Sequence, residues 1–476
     1  MCWRSIARSW RTSRPTRAPR GASCSLALTF CAVATLTACA TSKPDLRRLY
    51  QTANVATEQL PLILIPGIMG SQLRDRATHR VVWPGNLWNL IFNRFDELAL
   101  DVDPATLVGG AGKLEAFDIT NAAAGHRFYQ SIVETMVQFG GYQLTQLGTH
   151  ITDPYERHMY VFPYDWRLDN VETARRLAAF IDQLRRDYDR PDLKADIVAH
   201  SMGGIVSRYL LNFGTEDVLD RDDAQVTMAG ASRINRLVLL GTPSLGSANA
   251  VRVLIEGQKI VQLIQPEVLA TLPSTYQLLP NADRKPLIGI DGRPLRKNAQ
   301  DATSPERSIF DVDTWRDLKW SVFDPQVIAR VGPQRAELLQ RYFAKHLKRA
   351  GRLQKALRLP QPASAARLIV FGADCALTPA RVLVEDQDGS MVPRYEPQQI
   401  RLPQPGPRYD ELLREPGDGT VGKASLLGRQ SLDPTVHGSN QDGFPIAFSF
   451  FLCAEHSQIP SNINFQDNLL NALLSR

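Results

Sequence analysis

Cysteine is scarce: six in 476 residues, far too few for a disulfide scaffold. Acidic residues are missing altogether from residues 1–38, where six arginines stand (Arg4, Arg8, Arg11, Arg14, Arg17 and Arg20). Setting that stretch aside leaves 49 basic residues against 49 acidic ones, so the net charge of +6 belongs to the N-terminus. The remainder carries no basic excess, which removes the electrostatic case for a nucleic-acid partner. Beyond the N-terminal stretch no apolar run is long and unbroken enough to read as a transmembrane helix. Internal repeats and low-complexity tracts are lacking too. What is present is an ordinary globular mixture, 43% hydrophobic and 22% charged, in a chain long enough for a large core. No cofactor and no metal site is read from it.

The arginine-rich start leads into an apolar run, Leu26 to Ala38, the length of a signal-peptide core. It ends in Leu36-Thr37-Ala38-Cys39. Small residues before a cysteine resemble the lipobox of bacterial lipoproteins, in which the signal is cut before the cysteine and its thiol is acylated. Residues 1–38 are thus expected to be a lipoprotein-type signal, residues 39–58 a tether, and residues 59–476 the folded domain. The expected location is the bacterial cell envelope, lipid-anchored through Cys39 on the periplasmic or outer-membrane side. A plain secretory signal with a chance cysteine is the alternative. In either case Cys375 and Cys453 remain, in an oxidising compartment.

Short continuous apolar runs mark buried strands at Leu60–Pro66, Met159–Tyr164, Ala195–His200, Ile234–Leu240, Leu368–Phe371 and Ala447–Leu452. Helical patterns fall at Val171–Tyr188, Val251–Ile264, Gln334–Leu359 and Asn462–Leu474. Alternation of the two types predicts a mostly parallel sheet with helices on both faces. Residues 70–158 and 245–365 are too long for ordinary connections and read as insertions over one sheet edge, while residues 385–417 read as a loop.

The sharpest local signal is Ile197-Val198-Ala199-His200-Ser201-Met202-Gly203-Gly204, a strand running into a serine flanked by small residues and then a helix. That is the context of a nucleophile elbow, which lifts Ser201 to the sheet edge and aims the Met202 N–H at a developing oxyanion. His200 should point away from the hydroxyl and is not read as the base. The second oxyanion donor is expected from Pro66-Gly67-Ile68-Met69-Gly70, at Ile68 or its neighbour Met69. The acid and base should follow Ser201 in the order acid, then histidine. His456 follows the last strand and precedes the last helix; His437 lies in a Pro/Gly loop and His346 in the basic helical run. For the acid, Asp418 in Gly417-Asp418-Gly419-Thr420-Val421 occupies a tight turn, with Asp374, Asp386 and Asp388 as rivals.

These residues, with Leu62-Ile63-Leu64-Ile65-Pro66-Gly67-Ile68-Met69-Gly70-Ser71, Pro163-Tyr164-Asp165-Trp166-Arg167 and Leu240-Gly241-Thr242-Pro243 with Gly246-Ser247, resemble the lecithin:cholesterol acyltransferase family, in family order over roughly residues 60–475. The resemblance implies an α/β-hydrolase fold with two lid insertions. It implies Ser201, Asp418 and His456 as the triad and Ile68 and Met202 as oxyanion donors, with Asp165-Trp166-Arg167 structural. It also implies a phospholipid or other lipid ester as substrate at a membrane surface, with the acyl group passed to water or a lipid alcohol. No cysteine pair follows Ser71, unlike some animal members, and sterol use is not implied.

Trp88, Ile91, Phe92 and Phe95 form one helical stripe that suits either a lipid-facing lid or plain core. The basic run Lys345–Arg358 is expected to be a solvated helix face, with contact to anionic headgroups as the other reading. Competing functions are a soluble-ester esterase or thioesterase with the same triad, and a non-catalytic envelope lipoprotein. In the fold implied, Cys375 and Cys453 end neighbouring strands, so a disulfide between them is expected, against two separately buried thiols.

Overall fold

A computed structural model describes residues 43–50, 57–85, 95–120, 129–298, 301–362, 364–430 and 444–475. At its centre lies a seven-stranded sheet of β1 (Leu62–Ile65), β2 (Tyr142–Leu144), β3 (Arg157–Val161), β4 (Ala195–His200), β5 (Ile234–Leu240), β6 (Arg367–Ala373) and β7 (Ile446–Leu452). The spatial order is β7-β6-β5-β4-β1-β3-β2, and every pairing is parallel. The central strands are apolar throughout because both faces are covered: all four residues of β1 and all six of β4 are buried.

Side-chain alternation assigns the faces. Leu62, Leu64, Val198, Val238 and Ile369 pack with Ile132 and Met136 of α1 (Gln130–Gln138) and with Phe465 and Leu469 of α6 (Ile463–Leu474). Ile63, Ile65, Ile197, Leu237 and Leu239 face the other way, onto Leu177 and Ile181 of α2 (Asn170–Asp187) and Ile205 and Tyr209 of α3 (Met202–Phe213). Truncating one of these, such as Ile181→Ala, should cost about 2–5 kcal/mol. Helix α2 starts where Asp169 accepts a hydrogen bond from the Val171 N–H at 2.9 Å.

The chain enters the sheet at β1, visits β2 and β3 on one side, then returns to β4 on the other. β1 and β4 are therefore neighbours whose following loops diverge, which opens a crevice at their C-terminal ends. A strained strand-to-helix turn after β4 and this sheet identify an α/β-hydrolase fold. Among the described residues no helix is long and apolar enough to cross a membrane.

Several local expectations need correcting. The helix expected over Val251–Ile264 is α4 (Ala248–Glu256), followed by a small hairpin of Gln258–Lys259 and Leu263–Ile264. Gly257, at φ 86°, is the stop signal that ends it. Residues 385–417 are not simply a loop: Val382–Gln387 and Ser390–Arg394 form a hairpin around Asp388-Gly389, both at positive φ. An Asp-Gly pair is a strong hairpin signal. Segment 70–158 supplies β2 and α1 to the central body and is more than an insertion. Of the apolar stripe, Trp88, Ile91 and Phe92 lie outside the described residues, as do Cys39 and His437; Phe95 is buried edge-on against Trp83, 5.5 Å between ring centres.

On the basic helix α5 (Pro333–Ala356) the lysines Lys345, Lys348 and Lys355 are exposed, as expected of a solvated face, whereas Arg349 and Arg352 are half-buried in ion pairs. Arg349 bridges Asp169 and Asp217 at 2.8 Å each, and Arg352 pairs with Asp222 at 3.0 Å. At the sheet edge β6 and β7 pair through Ala373 and Leu452, and Cys375 and Cys453 are joined in a disulfide with their Cα atoms 5.1 Å apart.

Candidate active site

Ser201 stands between β4 and α3 at φ 51°, ψ −121°. A side-chain-bearing residue pays about 1–3 kcal/mol for such backbone, which persists only when its surroundings fix it. Here they do. The Ser201 N–H donates to the Leu240 carbonyl at 2.8 Å, and the Gly204 N–H donates to the Ser201 carbonyl at 3.0 Å. The small neighbours are required: a Cβ at Gly203 would lie 2.5 Å from the Pro66 carbonyl, and one at Gly67 would lie 2.8 Å from the Ser201 Cβ. The loop after β1 thus presses directly on the serine.

That loop brings Ile68 and Met69 beside Ser201 in a cleft of about 610 Å³, whose lining includes the apolar Val253, Leu263, Leu269 and Leu278 and the charged Arg252, Glu256 and Lys259. Among the described residues neither the Ile68 nor the Met202 N–H meets a backbone acceptor. Met202 opens α3, so its N–H shares the partial positive charge of the helix N-terminus.

His456 and Asp418 are brought together. His456 Nδ1 lies 2.7 Å from Asp418 Oδ2, and the His456 N–H donates to the Asp418 carbonyl at 2.8 Å. The other carboxylate oxygen, Oδ1, accepts from the Thr420 and Val421 N–H groups at 2.9 and 2.7 Å. The carboxylate is buried and fully engaged, so it can be rotated only by breaking its own turn. Thr378 reinforces that turn by accepting from the Gly419 N–H at 2.8 Å. Gly241, immediately after β5, gives the imidazole room: a Cβ there would sit 2.9 Å from His456 Cε1.

The rival residues stand elsewhere. Asp374 pairs with Lys423 at 2.6 Å, Asp386 accepts from the Gly389 N–H, and Asp388 forms the hairpin turn. His346 is buried on α5, its Nε2 3.3 Å from the Leu107 carbonyl, and burial lowers its pKa to about 4. Asp165 and Arg167 form a buried bidentate pair, and Trp166 donates to the Ser71 carbonyl at 3.1 Å, which makes this motif a brace under the β1 loop. Among the described residues no cluster of three or more His, Cys, Asp or Glu is placed to hold a metal.

Two contacts escaped sequence reasoning. Ser247, which caps α4, also donates to the Thr420 carbonyl at 2.6 Å and ties the cleft wall to the acid turn. Tyr129 reaches in from the 70–158 segment to the Gly67 N–H. Neither has a local pattern that signals it, since each partner is remote in sequence.

Known proteins resemble this chain in part of its sequence and in its fold. Residues 106–290 match the family model of lecithin:cholesterol acyltransferase. A lysosomal phospholipase A and acyltransferase from Canis lupus familiaris is 25% identical over 270 residues, 49% of this chain and 60% of that protein's length. The solved structure of a Tle4–Tli4 complex aligns over 88% of this chain and 98% of the matched one, with a TM-score of 0.51 at 15% identity, a likeness of fold alone. The chain is thus similar to the lecithin:cholesterol acyltransferase family over residues 106–290, a segment that holds Ser201 and ends before Asp418 and His456.

Proposed function

We propose that the protein is a serine-dependent lipid acyl-ester hydrolase and O-acyltransferase. Ser201 is the nucleophile, His456 the base and Asp418 the acid, with the Ile68 and Met202 N–H groups as the oxyanion site. The Ser201 Oγ attacks the ester carbonyl carbon while its proton passes to His456 Nε2. Asp418 holds the Nδ1 proton and stabilises the imidazolium that forms. The carbonyl oxygen, now an anion, accepts from Ile68 and Met202. The C–O bond to the glycerol side breaks, that oxygen takes the proton from His456, and an acyl-serine remains. Water or a lipid alcohol then attacks the acyl carbon, giving its proton to His456; the bond between the acyl carbon and Ser201 Oγ breaks, and Oγ takes that proton back from His456.

The observation that supports this reading is the 2.7 Å His456–Asp418 contact, together with the strained serine that follows β4. The apolar part of the cleft lining, Val253, Leu263, Leu269 and Leu278, suits an acyl chain, and the relative named above is a phospholipase A and acyltransferase. A phospholipid or related lipid is therefore the proposed donor. The Cys375–Cys453 bond supports an oxidising location, in keeping with an envelope lipoprotein anchored at Cys39.

The test is to incubate the purified protein with acyl-labelled phospholipid, with and without a lipid alcohol. Free fatty acid alone, or with a new lipid ester when the alcohol is present, is the expected result, abolished in Ser201→Ala. No acyl release by the wild type, or equal release by Ser201→Ala, overturns the reading.

A further inference from the structure

His200 is next to the serine in sequence yet plays no part in the steps above. It is 3% exposed and is not among the residues that line the cleft. Its Nδ1 is 2.9 Å from the Tyr129 hydroxyl, and that same hydroxyl accepts from the Gly67 N–H at 2.8 Å. Its ring lies against the His456 ring, centroids 4.8 Å apart and tilted by 40°. The His456 backbone also faces it. One buried group therefore touches the oxyanion loop, through Tyr129, and the base directly. A Cβ added at Gly67 would come within 3.3 Å of His200 Nδ1 and 2.8 Å of the Ser201 Cβ, so the loop packs too closely on both residues to admit a side chain.

Resting on the function proposed above, we infer that Tyr129 and His200 are a positioning pair. They hold the Gly67–Ile68 donor loop and the His456 ring in register with Ser201.

The chemistry suits the task. Burial, and secondarily the nearness of His456, drive the His200 pKa well below its ordinary value, so the ring stays neutral. A neutral ring can lie beside His456 without opposing the imidazolium that forms there during the reaction. Burial also raises the Tyr129 pKa, so the phenol keeps its proton. Tyr164 braces the other side of the loop, donating to the Pro66 carbonyl at 2.9 Å. The loop peptide is thus gripped at Pro66 and Gly67, one residue before the proposed donor. Neither Tyr129 nor His200 touches the substrate cleft, so losing them should disturb the transition state more than binding.

Tyr129→Phe keeps the ring and removes the hydroxyl. It should fold, with kcat lowered by about 10- to 100-fold and KM little changed, the scale expected when catalytic groups are displaced by a fraction of an ångström to an ångström. His200→Leu should behave alike, and His200→Asn, whose side-chain amide can take the place of Nδ1, should recover much of the loss. Labelling of Ser201 by a fluorophosphonate probe, which needs the same loop and base but no lipid recognition, should slow in parallel with kcat.

If Ser201 of the wild type is labelled yet Tyr129→Phe and His200→Leu label and turn over at the wild-type rate, the positioning pair is overturned while the catalytic reading stands. A rise in KM with unchanged kcat overturns it as well. If the wild type is not labelled at Ser201, the catalytic reading falls and takes the positioning pair with it.

Discussion

Removing the Cys375–Cys453 bond, by Cys375→Ala together with Cys453→Ala, separates what holds the acid and base in place from what holds the chain together. The cysteines are 78 residues apart, and the loop between them contains the Asp418 turn and strand β7. A cross-link of that span removes loop-closure freedom from the unfolded chain worth about 4.5 kcal/mol in the chain-entropy treatment. For a body running from Asp45 to Arg476, that lowers the melting temperature by about 5 °C, taking the usual unfolding entropy per residue. The folded site has separate supports: the His456–Asp418 side-chain contact at 2.7 Å and the His456 N–H to Asp418 carbonyl bond at 2.8 Å. Turnover well below the melting temperature should therefore persist in the double variant, while calorimetry or circular dichroism shows the earlier transition. Wild-type protein heated with reductant should melt like the variant. An unchanged melting temperature refutes the entropic argument. Loss of turnover in a variant that is still folded refutes the claim that the two hydrogen bonds suffice. Thiol counting on the denatured protein gives a direct check, since Cys375 and Cys453 should react only after reduction.

Ser201→Ala should abolish turnover, and Ser201→Gly should do the same while melting later, because glycine relieves the φ 51° strain by about 1 kcal/mol; a glycine variant no more stable than wild type would show the turn is unstrained. His456→Ala should be inactive and His437→Ala active in the same ester-release assay, with the reverse pattern ruling out His456 as base. Asp418→Asn should fold and lose about 10⁴ in kcat, and near wild-type rates would remove Asp418 from the triad. His346, with its folded pKa lowered to about 4 by burial, binds a proton more readily once unfolded. Its contribution is present above its unfolded pKa and is lost as pH falls toward 4. Between pH 7 and pH 5 this amounts to about 2 kcal/mol, readable as a fall in the denaturant midpoint that His346→Gln should reduce; an equal fall in the variant would place the acid sensitivity elsewhere.

Strand positions at Ala195–His200 and Ile234–Leu240 were readable from the sequence because a two-sided sheet demands unbroken apolar runs. Ser201, Asp418 and His456 were readable because an elbow, a glycine-flanked carboxylate and a histidine after the last strand each carry a local pattern. Strand β2 was not, since it is three residues at a sheet edge with Gln143 and Leu144 exposed, and so lacks the buried run. The small hairpin after Gly257 was hidden by apolar residues that continue the helical pattern past the glycine. The grip of Tyr129 on Gly67 joins positions 62 residues apart, and nothing local in either segment announces it.

The order in which the site's parts occur along the chain has a bearing on when the protein can act. Ser201, the oxyanion loop and five of the seven strands are translated before β6, and β7 with His456 follows the Asp418 turn. Among the described residues β7 pairs only with β6, so it docks once that neighbour is set. On the function proposed above, a nascent chain displays Ser201 before the histidine that would deprotonate it, and acyl transfer waits on the docking of β7.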